Sequence, residues 1–268
     1  MIALIAGTGA LPGILANALV ASGDPPIICE IAGFAPDVSP DLLRLRFRIE
    51  TLGTLLATLG QLGVTRICMA GAVRRPVIDP KAIDAATQPL IAPLISAMAK
   101  GDDGTLRGII AIFESYGFTV IGADQIATTL LPAAGILTRA GPMPQHISDA
   151  AVGFAEIARM GQADMGQACI VQGGAVIMRE TDAGTDVMIT RSRLVASPDS
   201  HNRVLVKAPK PGQDRRADLP VIGPLTAGAA VIAGLAGIVI QAGGVIVIDL
   251  AEVVAKLDRQ AMFLWVRA

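Results

Sequence analysis

The chain has 268 residues, which is enough for two domains that each bury a core of their own. Its composition, 52% hydrophobic and only 17% charged, argues against extensive disorder. The formal net charge of −1 and the aromatic content of 3% argue against a general nucleic-acid-binding protein, because such proteins need a basic surface or aromatic side chains on which bases stack.

The first half of the chain alternates apolar strands, small-residue loops and helices. Strands are predicted at Ile2–Ala6, Ile27–Ile31, Arg66–Ala70 and Phe118–Ile121, and helices at Leu11–Ala21, Leu52–Leu62 and from about Ile91 to Tyr116. Continuously apolar strands are typical of a parallel sheet that is covered on both faces. We therefore predict an α/β fold of two domains, in which residues 1–130 form a Rossmann-like N-terminal domain.

A Pro/Gly-rich stretch, residues 131–144, has no apolar periodicity and is predicted to be a linker. A second α/β domain is predicted over residues 145–268. Its pattern predicts a helix at Ala150–Met160, a hairpin of Ala168–Gln172 and Ala175–Arg179, a helix at Thr185–Leu194, a strand at Val204–Val206, a helix at Ala251–Gln260 and a strand at Met262–Val266.

A run of thirty residues without a formal charge, Leu219–Ile248, has the hydropathy of a membrane span. Its internal pattern instead predicts a buried helix over Thr226–Gln241, a break at Gly243-Gly244 and a buried strand from Val245 to Ile248. We therefore expect a soluble protein.

The cysteines and histidines bear on localisation and metal binding. Cys29, Cys68 and Cys169 are odd in number and lie in apolar runs, which favours buried, reduced thiols in the cytoplasm. The amino-terminal sequence MIALIAGTGALPG lacks the basic region of a signal peptide. His146 and His201 stand far apart without the spacing of zinc ligands, so we expect surface or capping roles for them.

Two glycine-containing loops follow predicted strands of the first domain. Gly7-Thr8-Gly9-Ala10-Leu11-Pro12-Gly13 precedes a helix whose N–H groups could bind phosphate, although an ordinary tight turn explains it equally well. It is a defective dinucleotide fingerprint, because Pro12 precedes the third glycine and only Glu30 suggests a ribose-binding acid. Gly71-Ala72-Val73-Arg74-Arg75-Pro76 is either a phosphate-binding loop or a solvated basic turn.

Charged residues cluster in two further segments. In Lys100-Gly101-Asp102-Asp103-Gly104, the carboxylates either cap a helix or bind a cation such as Mg²⁺. KAPKPGQDRRADLP, residues 207–220, displays four cations and two carboxylates on a proline-framed loop. That combination suits metal-assisted phosphoryl transfer, and a solvated charged loop is the alternative. Asp164–Gln167 and Gly184–Asp186 are either turns or ligand contacts.

In this order, the segments GTGALPG, AGAVRRP, KGDD, DMGQ, AGTD and KAPKPGQDRRADLPVIG resemble the UDP-2,3-diacylglucosamine pyrophosphatases of the LpxI type across nearly the whole chain. The resemblance implies a bacterial enzyme of lipid A synthesis that depends on Mg²⁺ or Mn²⁺, forms a homodimer and contacts the cytoplasmic face of the inner membrane. Water would attack the sugar-side phosphorus of UDP-2,3-diacylglucosamine and release UMP and 2,3-diacylglucosamine 1-phosphate (lipid X).

The resemblance also implies roles for individual residues. The catalytic residues would be Asp218, Asp214 and Gln213. The metal ligands would come from Asp218, Asp186, Asp102 and Asp103. The substrate-binding residues would be Gly9, Ala10, Gly71, Val73, Arg75, Lys100, Gln167, Thr185, Lys207, Lys210 and Arg215. The loops at Gly9 and Gly71 would hold the nucleotide, and the second domain would supply charge and an apolar slot for the acyl chains.

The chain departs from the family pattern at several positions. Thr8 stands where glycine is common, Ala72 replaces an asparagine, and Gln172 and Ala183 replace acids. Two other functions remain open from the sequence: an NAD(P)-dependent oxidoreductase that uses the glycine loop, and a non-catalytic carrier of a lipid or sugar nucleotide.

Overall fold

The computed structural model describes residues 1–74, 77–163, 165–195 and 200–268, which divide into two compact units. Unit 1 comprises Met1–Thr128 and Asp214–Asp218, and unit 2 comprises Thr129–Gln213 and Leu219–Ala268. Both units combine helices with sheet, which confirms the predicted α/β class. The short segment Asp214–Asp218 groups with unit 1 although its neighbours along the chain belong to unit 2.

Unit 1 contains a five-stranded parallel sheet in the described part of the chain, with the order β3-β2-β1-β4-β5. Its strands are β1 (Ile2–Ala6), β2 (Ile27–Ile31), β3 (Arg44–Phe47), β4 (Arg66–Ala70) and β5 (Thr119–Ile121). Its helices are α1 (Leu11–Ala21), α2 (Leu52–Gln61), α3 (Gln88–Met98), α4 (Gly101–Ser115) and α5 (Ala123–Ile126). Every residue of β1 and β2 is buried, as the continuously apolar pattern predicts.

Two features of unit 1 differ from the prediction. Strand β3 was not predicted, because its sequence Arg44-Leu45-Arg46-Phe47 alternates charged and apolar residues, as an edge strand with one exposed face does. The long helix predicted from Ile91 to Tyr116 is two helices, α3 and α4, and the chain turns between them at Gly101, whose φ is +84°.

Unit 2 contains a six-stranded mixed sheet in the described part of the chain, with the order β6-β13-β11-β9-β7-β8. The strands of unit 2 are β6 (Gly135–Ile136), β7 (Ala168–Gln172), β8 (Ala175–Arg179), β9 (Val204–Lys207), β10 (Val221–Ile222), β11 (Gly237–Gln241), β12 (Ile246–Val247) and β13 (Phe263–Arg267). Its helices are α6 (Pro144–Gln162), α7 (Thr185–Ser192), α8 (Pro224–Ile232) and α9 (Leu250–Asp258). Strands β9, β11 and β13 are parallel, and β7 and β8 form the predicted hairpin.

The uncharged run in unit 2 folds differently from the prediction. The single helix predicted over Thr226–Gln241 is wrong: α8 ends at Ile232, and β11 begins at Gly237. Gly234, with a φ of +68°, ends the helix, and the β-branched residues that follow favour a strand. Within the described residues, no helix is long and apolar enough to cross a membrane.

The three cysteines are buried free thiols, as the sequence predicts. Burial raises the pKa of Cys29, Cys68 and Cys169 to about 12. Thiols with such a pKa stay protonated near neutral pH and are poor nucleophiles, so these side chains serve as small apolar core residues.

Helix α2 contains two glycines in opposite environments. Gly53 is buried where α2 packs against the chain before α3; its N–H donates to the hydroxyl of Thr87 at 2.8 Å, and a Cβ at this position would lie 2.2 Å from the carbonyl oxygen of Ala86. Gly60 faces open space, and a Cβ there would meet no atom within 4 Å. The first glycine is therefore required by backbone packing and the second is not.

We expect opposite effects on stability from the same substitution at these two sites. Gly53→Ala should lower the free energy of unfolding by roughly 1–3 kcal/mol, because backbone must move to admit the methyl group. Gly60→Ala should raise it by about 0.5–1 kcal/mol through higher helix propensity. Chemical denaturation of the two variants and the parent protein measures both effects, and equal effects would contradict the packing of α2.

Candidate active site

The carboxyl ends of β1 and β4 form the topological switch of the first sheet. The chain adds β2 and β3 on one side of β1, and β4 and β5 on the other, and ligands of open parallel sheets bind beside such a switch. Two loops meet here: Thr8 donates its N–H to the carbonyl of Ala72 at 3.0 Å, and Ala72 returns the bond to Thr8 at 2.9 Å. A Cβ on Gly7 would lie 2.5 Å from the Ala72 oxygen, so this glycine allows the two loops to touch.

Several predicted substrate-binding residues lie at this edge of unit 1. Gly9 has a φ of +98°, Ala10 is the N-cap of α1, Gly71 has a φ of +88° and Val73 is exposed. No side chain of the described residues caps the amino end of α1. Arg75 and Asp164, which belong to two of the candidate segments in the sequence, lie outside the described residues.

Glu30 at the end of β2 does not present the ribose-binding carboxylate of a dinucleotide site. Its side chain is buried and forms ion pairs with Arg44 at 2.9 Å and with Arg46 at 3.0 Å. Both carboxylate oxygens therefore accept from the neighbouring strand β3. This pairing, together with Pro12 in the glycine loop, weakens the nicotinamide-dependent alternative.

The segment Asp214–Asp218 is held in unit 1 by the guanidinium of Arg216. That group donates to both carboxylate oxygens of Asp214, at 3.0 and 2.8 Å, and to Glu114 of α4 at 2.6 Å. The N–H of Asp214 also donates to Asp103 at 3.4 Å, and Ala217 packs against the apolar core of unit 1. We call the contacts of Arg216 with Asp214 and Glu114 the Arg216 anchor. Asp218 lies two residues after Arg216, is partly exposed and donates its N–H to the carbonyl of Asp214 at 3.3 Å.

The remaining predicted site residues of unit 1 lie at the start of α4. Lys100 is the N-cap of that helix, and Asp102 and Asp103 are in its first turn. Asp103 pairs with Arg107 at 2.7 Å, one turn further along α4. The structure therefore places this acidic pair and the segment Asp214–Asp218, which includes Arg215, in the same unit and in contact through Asp103.

The described residues contain no group of three or more His, Cys, Asp or Glu side chains arranged as a metal site. Mg²⁺ needs only one or two protein carboxylates when phosphate and water oxygens complete its shell. Asp102, Asp103 and Asp218 of unit 1 are carboxylates of this class, although both oxygens of Asp103 already accept, one from Arg107 and one from the N–H of Asp214. The donor types in unit 1 therefore suit such an ion. The fourth predicted ligand, Asp186, lies in unit 2, where it accepts from Thr226 at 3.0 Å.

In unit 2, a second set of predicted residues lies around Glu180, which no sequence motif indicated. Glu180, Thr185 and Lys207 are 9%, 7% and 5% exposed. One Glu180 oxygen accepts from the Thr185 hydroxyl and lies 3.9 Å from the Lys207 ammonium, which itself donates to Thr185. The other oxygen accepts from the N–H of Gln167 at 2.7 Å. We call these four residues the Glu180 cluster.

Other predicted residues of unit 2 have local structural contacts. The side-chain oxygen of Gln213 accepts from the backbone N–H of Lys210 at 2.9 Å, and the backbone N–H of Gln213 donates to the Lys210 carbonyl at 3.2 Å. This pair closes a turn whose Gly212 has a φ of +75°. The side-chain oxygen of Gln167 is buried without a hydrogen-bond partner in the described part of the chain.

His146 caps a helix, as predicted, but it is buried and not on the surface. Its Nδ1 accepts from the N–H of Met143 at 3.1 Å at the start of α6, and its ring packs on Phe263. Burial lowers its pKa, which favours the neutral form near pH 7.

One departure from the family pattern has a structural partner. The guanidinium of Arg203 is 1% exposed; it donates to the side-chain oxygen of Gln172 at 3.0 Å and to backbone carbonyls at the end of α7. Gln172 therefore offers a neutral acceptor to a buried cation, at a position where the resemblance implies an acid. Ala183 is exposed and has no contact that explains its replacement.

Comparison with known proteins covers both units. A family model described as the LpxI N-terminal domain matches residues 1–130, and one described as the LpxI C-terminal domain matches residues 133–265. The UDP-2,3-diacylglucosamine pyrophosphatase LpxI of Caulobacter vibrioides is 34% identical over 265 residues, which are 97% of this chain and 95% of that relative. These matches confirm the resemblance that the sequence motifs indicate.

The Arg216 anchor predicts a specific pH dependence of stability. Arg216 holds the pKa of the Asp214 carboxyl below its usual range, chiefly through their hydrogen bond. A lowered pKa in the folded state stabilises the protein above the unfolded pKa of about 4, and this contribution is lost as pH falls through the folded value. Arg216→Gln should therefore cost roughly 0.5–1.5 kcal/mol at pH 7, a partly exposed pair being screened by solvent.

Urea unfolding between pH 7 and pH 2.5 measures this dependence. The difference between Arg216→Gln and the parent should shrink at the acidic end, because protonated Asp214 no longer gains from the guanidinium. Arg259→Gln, at an exposed position of unit 2, is the matched control and should change little at any pH. A deficit that does not vary with pH would contradict the role of the Asp214 pair.

Proposed function

The chain belongs to the LpxI family, and on this premise we propose that it hydrolyses UDP-2,3-diacylglucosamine to UMP and 2,3-diacylglucosamine 1-phosphate, lipid X. The similarity to a relative named as a UDP-2,3-diacylglucosamine pyrophosphatase extends over both units and supports a hydrolase. The observation that carries the proposal is the charged segment Asp214–Asp218, which Arg216 fixes to unit 1. A carboxylate on a segment held by such contacts suits the positioning on which phosphoryl transfer depends.

Asp218 is the carboxylate that we assign to the reacting water. Asp214 is bound on both oxygens by Arg216, which keeps it ionised and makes it an anchor. Asp218 is partly exposed, lies four residues after Asp214 and donates its N–H to the Asp214 carbonyl. Its carboxylate would orient the attacking water and accept its proton as the new O–P bond forms at the sugar-side phosphorus and the bridging P–O bond to UMP breaks.

The cationic and glycine-rich residues are proposed to bind the diphosphate. In unit 1, the amino end of α1 at Gly9 and Ala10 offers N–H groups and the positive end of the helix dipole to an anion, next to Gly71 and Val73. The cations Lys100 and Arg215 belong to the same unit. In unit 2, the proposed phosphate-binding residues are Thr185, Lys207, Lys210 and Gln167.

A divalent cation is part of the proposal. Mg²⁺ or Mn²⁺, when bound, would neutralise charge on the diphosphate, and Asp218 with Asp102 or Asp103 would hold it through carboxylate oxygens. Asp103 would first have to give up its bond to Arg107 or to the N–H of Asp214. Asp186, which is hydrogen-bonded to Thr226 in unit 2, fits this role less well than the acids of unit 1.

A membrane contact is proposed because the acyl chains would keep the substrate in a bilayer. Leu225 and Ile232 of α8 are 81% and 66% exposed and, seven residues apart, lie on one helix face. Arg191 and Arg193 are exposed near the end of α7 in the same unit. Apolar and basic side chains on one unit suit the cytoplasmic face of a membrane with anionic lipids. The homodimer and the cytoplasmic location are likewise part of the proposal.

Asp218→Asn should abolish turnover and preserve binding. The amide keeps the size of the side chain and removes its charge and basicity, so we expect UMP release to fall by roughly a hundred- to ten-thousandfold. A phosphorus NMR time course with UDP-2,3-diacylglucosamine and Mg²⁺ measures it. Asp41→Asn, at an exposed turn of unit 1, is the control and should keep full activity. Full activity in Asp218→Asn would remove Asp218 from the mechanism.

The same assay separates the other functions. A non-catalytic carrier would bind the diacyl substrate and release no UMP, and a nicotinamide enzyme would change the fluorescence of added NADPH. Either result for the parent protein would overturn the proposed hydrolysis.

Removal of metal should stop the reaction. Excess EDTA is expected to suppress UMP release by the parent protein, and addition of Mg²⁺ or Mn²⁺ beyond the chelator should restore it, because the diphosphate charge is then neutralised again. Undiminished turnover in EDTA after dialysis against the chelator would contradict the metal requirement.

A further inference from the structure

We infer that Glu180 is a positioning residue that fixes Lys207 and Thr185 for the phosphate of the substrate, an inference that rests on the proposed function. Glu180 lies directly after β8, Thr185 is the first residue of α7, and Lys207 is the last residue of β9. Three separate elements of unit 2 thus meet at one carboxylate.

The hydrogen bonds of the cluster have one consistent direction. An ammonium group can only donate, and an ionised carboxylate can only accept. The hydroxyl of Thr185 accepts from Lys207 and must therefore direct its single proton to Glu180. The carboxylate thereby fixes the rotation of the hydroxyl and, through it, the position of the ammonium. Because the three side chains are buried, these charges are screened less than at the surface.

Glutamine could not replace Glu180 in this arrangement. Both carboxylate oxygens accept, one from the Thr185 hydroxyl and the other from the N–H of Gln167. An amide supplies only one acceptor oxygen. If that oxygen faces Thr185, the NH₂ group meets the N–H of Gln167. If it faces Gln167, the NH₂ group must donate to the Thr185 hydroxyl, whose own proton then loses Glu180 as its acceptor. The backbone is also tight here, since a Cβ on Gly166 would lie 2.6 Å from the Cβ of Glu180. The backbone at Gly166 therefore packs directly against Glu180.

The cluster lies where an anion would be favoured. Helix α7 begins at Thr185, and no described side chain caps its amino end, where Gly184 has a φ of +88°. Lys207 begins the charged loop that continues to Lys210. Ala208 donates its N–H to the carbonyl of Gln167 at 3.1 Å, so Glu180 also steadies the start of this loop through Gln167. A lysine and a helix amino end together suit a phosphate.

The test compares Glu180→Gln with the pair Thr185→Val and Thr185→Ser in the full chain. For Glu180→Gln and Thr185→Val we expect KM for UDP-2,3-diacylglucosamine to rise about 10- to 100-fold, the loss typical of a hydrogen bond to a charged group. We expect kcat to stay within about threefold, because binding lost equally from ground and transition states appears in KM. Thr185→Ser keeps the hydroxyl and should lose far less than Thr185→Val.

Two further measurements make the outcome specific. The double variant Glu180→Gln/Thr185→Val should be little worse than either single variant, because both remove one chain of hydrogen bonds. Glu252→Gln, on the exposed face of α9, is the control and should leave both constants unchanged. If circular dichroism shows that Glu180→Gln does not fold, Thr185→Val and Thr185→Ser still test whether substrate affinity needs the hydroxyl that Glu180 orients.

The failure of this inference is distinguishable from that of the proposed function. Additive effects, or an unchanged KM in folded Glu180→Gln, would overturn the positioning role while the parent enzyme remains active. If the parent releases no UMP, the proposed function fails. In that case, calorimetry of 2,3-diacylglucosamine 1-phosphate binding in detergent tests the role of Glu180 without turnover. Equal affinity of the parent and Glu180→Gln, or no binding by either, would overturn the inference.

Discussion

The guanidinium of Arg216 joins a segment from late in the chain to the first unit, and the candidate active site depends on this contact. Arg216 binds Asp214 within its own segment and Glu114 on α4. A charge-assisted bond to each side fixes the backbone more firmly than a neutral contact would. The residues that follow, ending at Asp218, are thereby held against unit 1, although the chain enters and leaves this segment from unit 2.

Charge is scarce in this protein, and three buried charged side chains of the described residues each have several hydrogen-bond or ion-pair partners. Glu30 is bound by two arginines, Glu180 by a hydroxyl, an N–H and a nearby lysine, and Arg203 by backbone carbonyls and an amide. A buried charged group costs free energy unless it has hydrogen-bond partners. Buried charged groups are therefore kept where, with their partners, they hold structural elements together or serve function. The partners of Glu30 are arginines of the neighbouring strand, which indicates a structural role. The partners of Glu180 belong to residues that the family resemblance implies as substrate-binding residues.

Local patterns predicted most of the fold because each depends on neighbours in sequence. The apolar strands from Ile2 and from Arg66, and the hairpin around Gly173-Gly174, follow directly from residue type and spacing. The failures came where two signals overlap. Strand β3 carries two arginines because it lies at an edge, and Gly234 divides an evenly apolar run whose periodicity cannot separate helix from strand.

The sequence by itself determined the α/β class, the family and the residue types from which a phosphate site could be built, because motifs and hydrophobic spacing are local. Only the tertiary structure decided which of these residues meet. It grouped Asp214–Asp218 with unit 1, paired Glu30 with arginines and placed Glu180 beside Lys207, which is 27 positions later in the chain. Contacts of this kind depend on how strands pair and helices pack, and no short window of sequence contains that information.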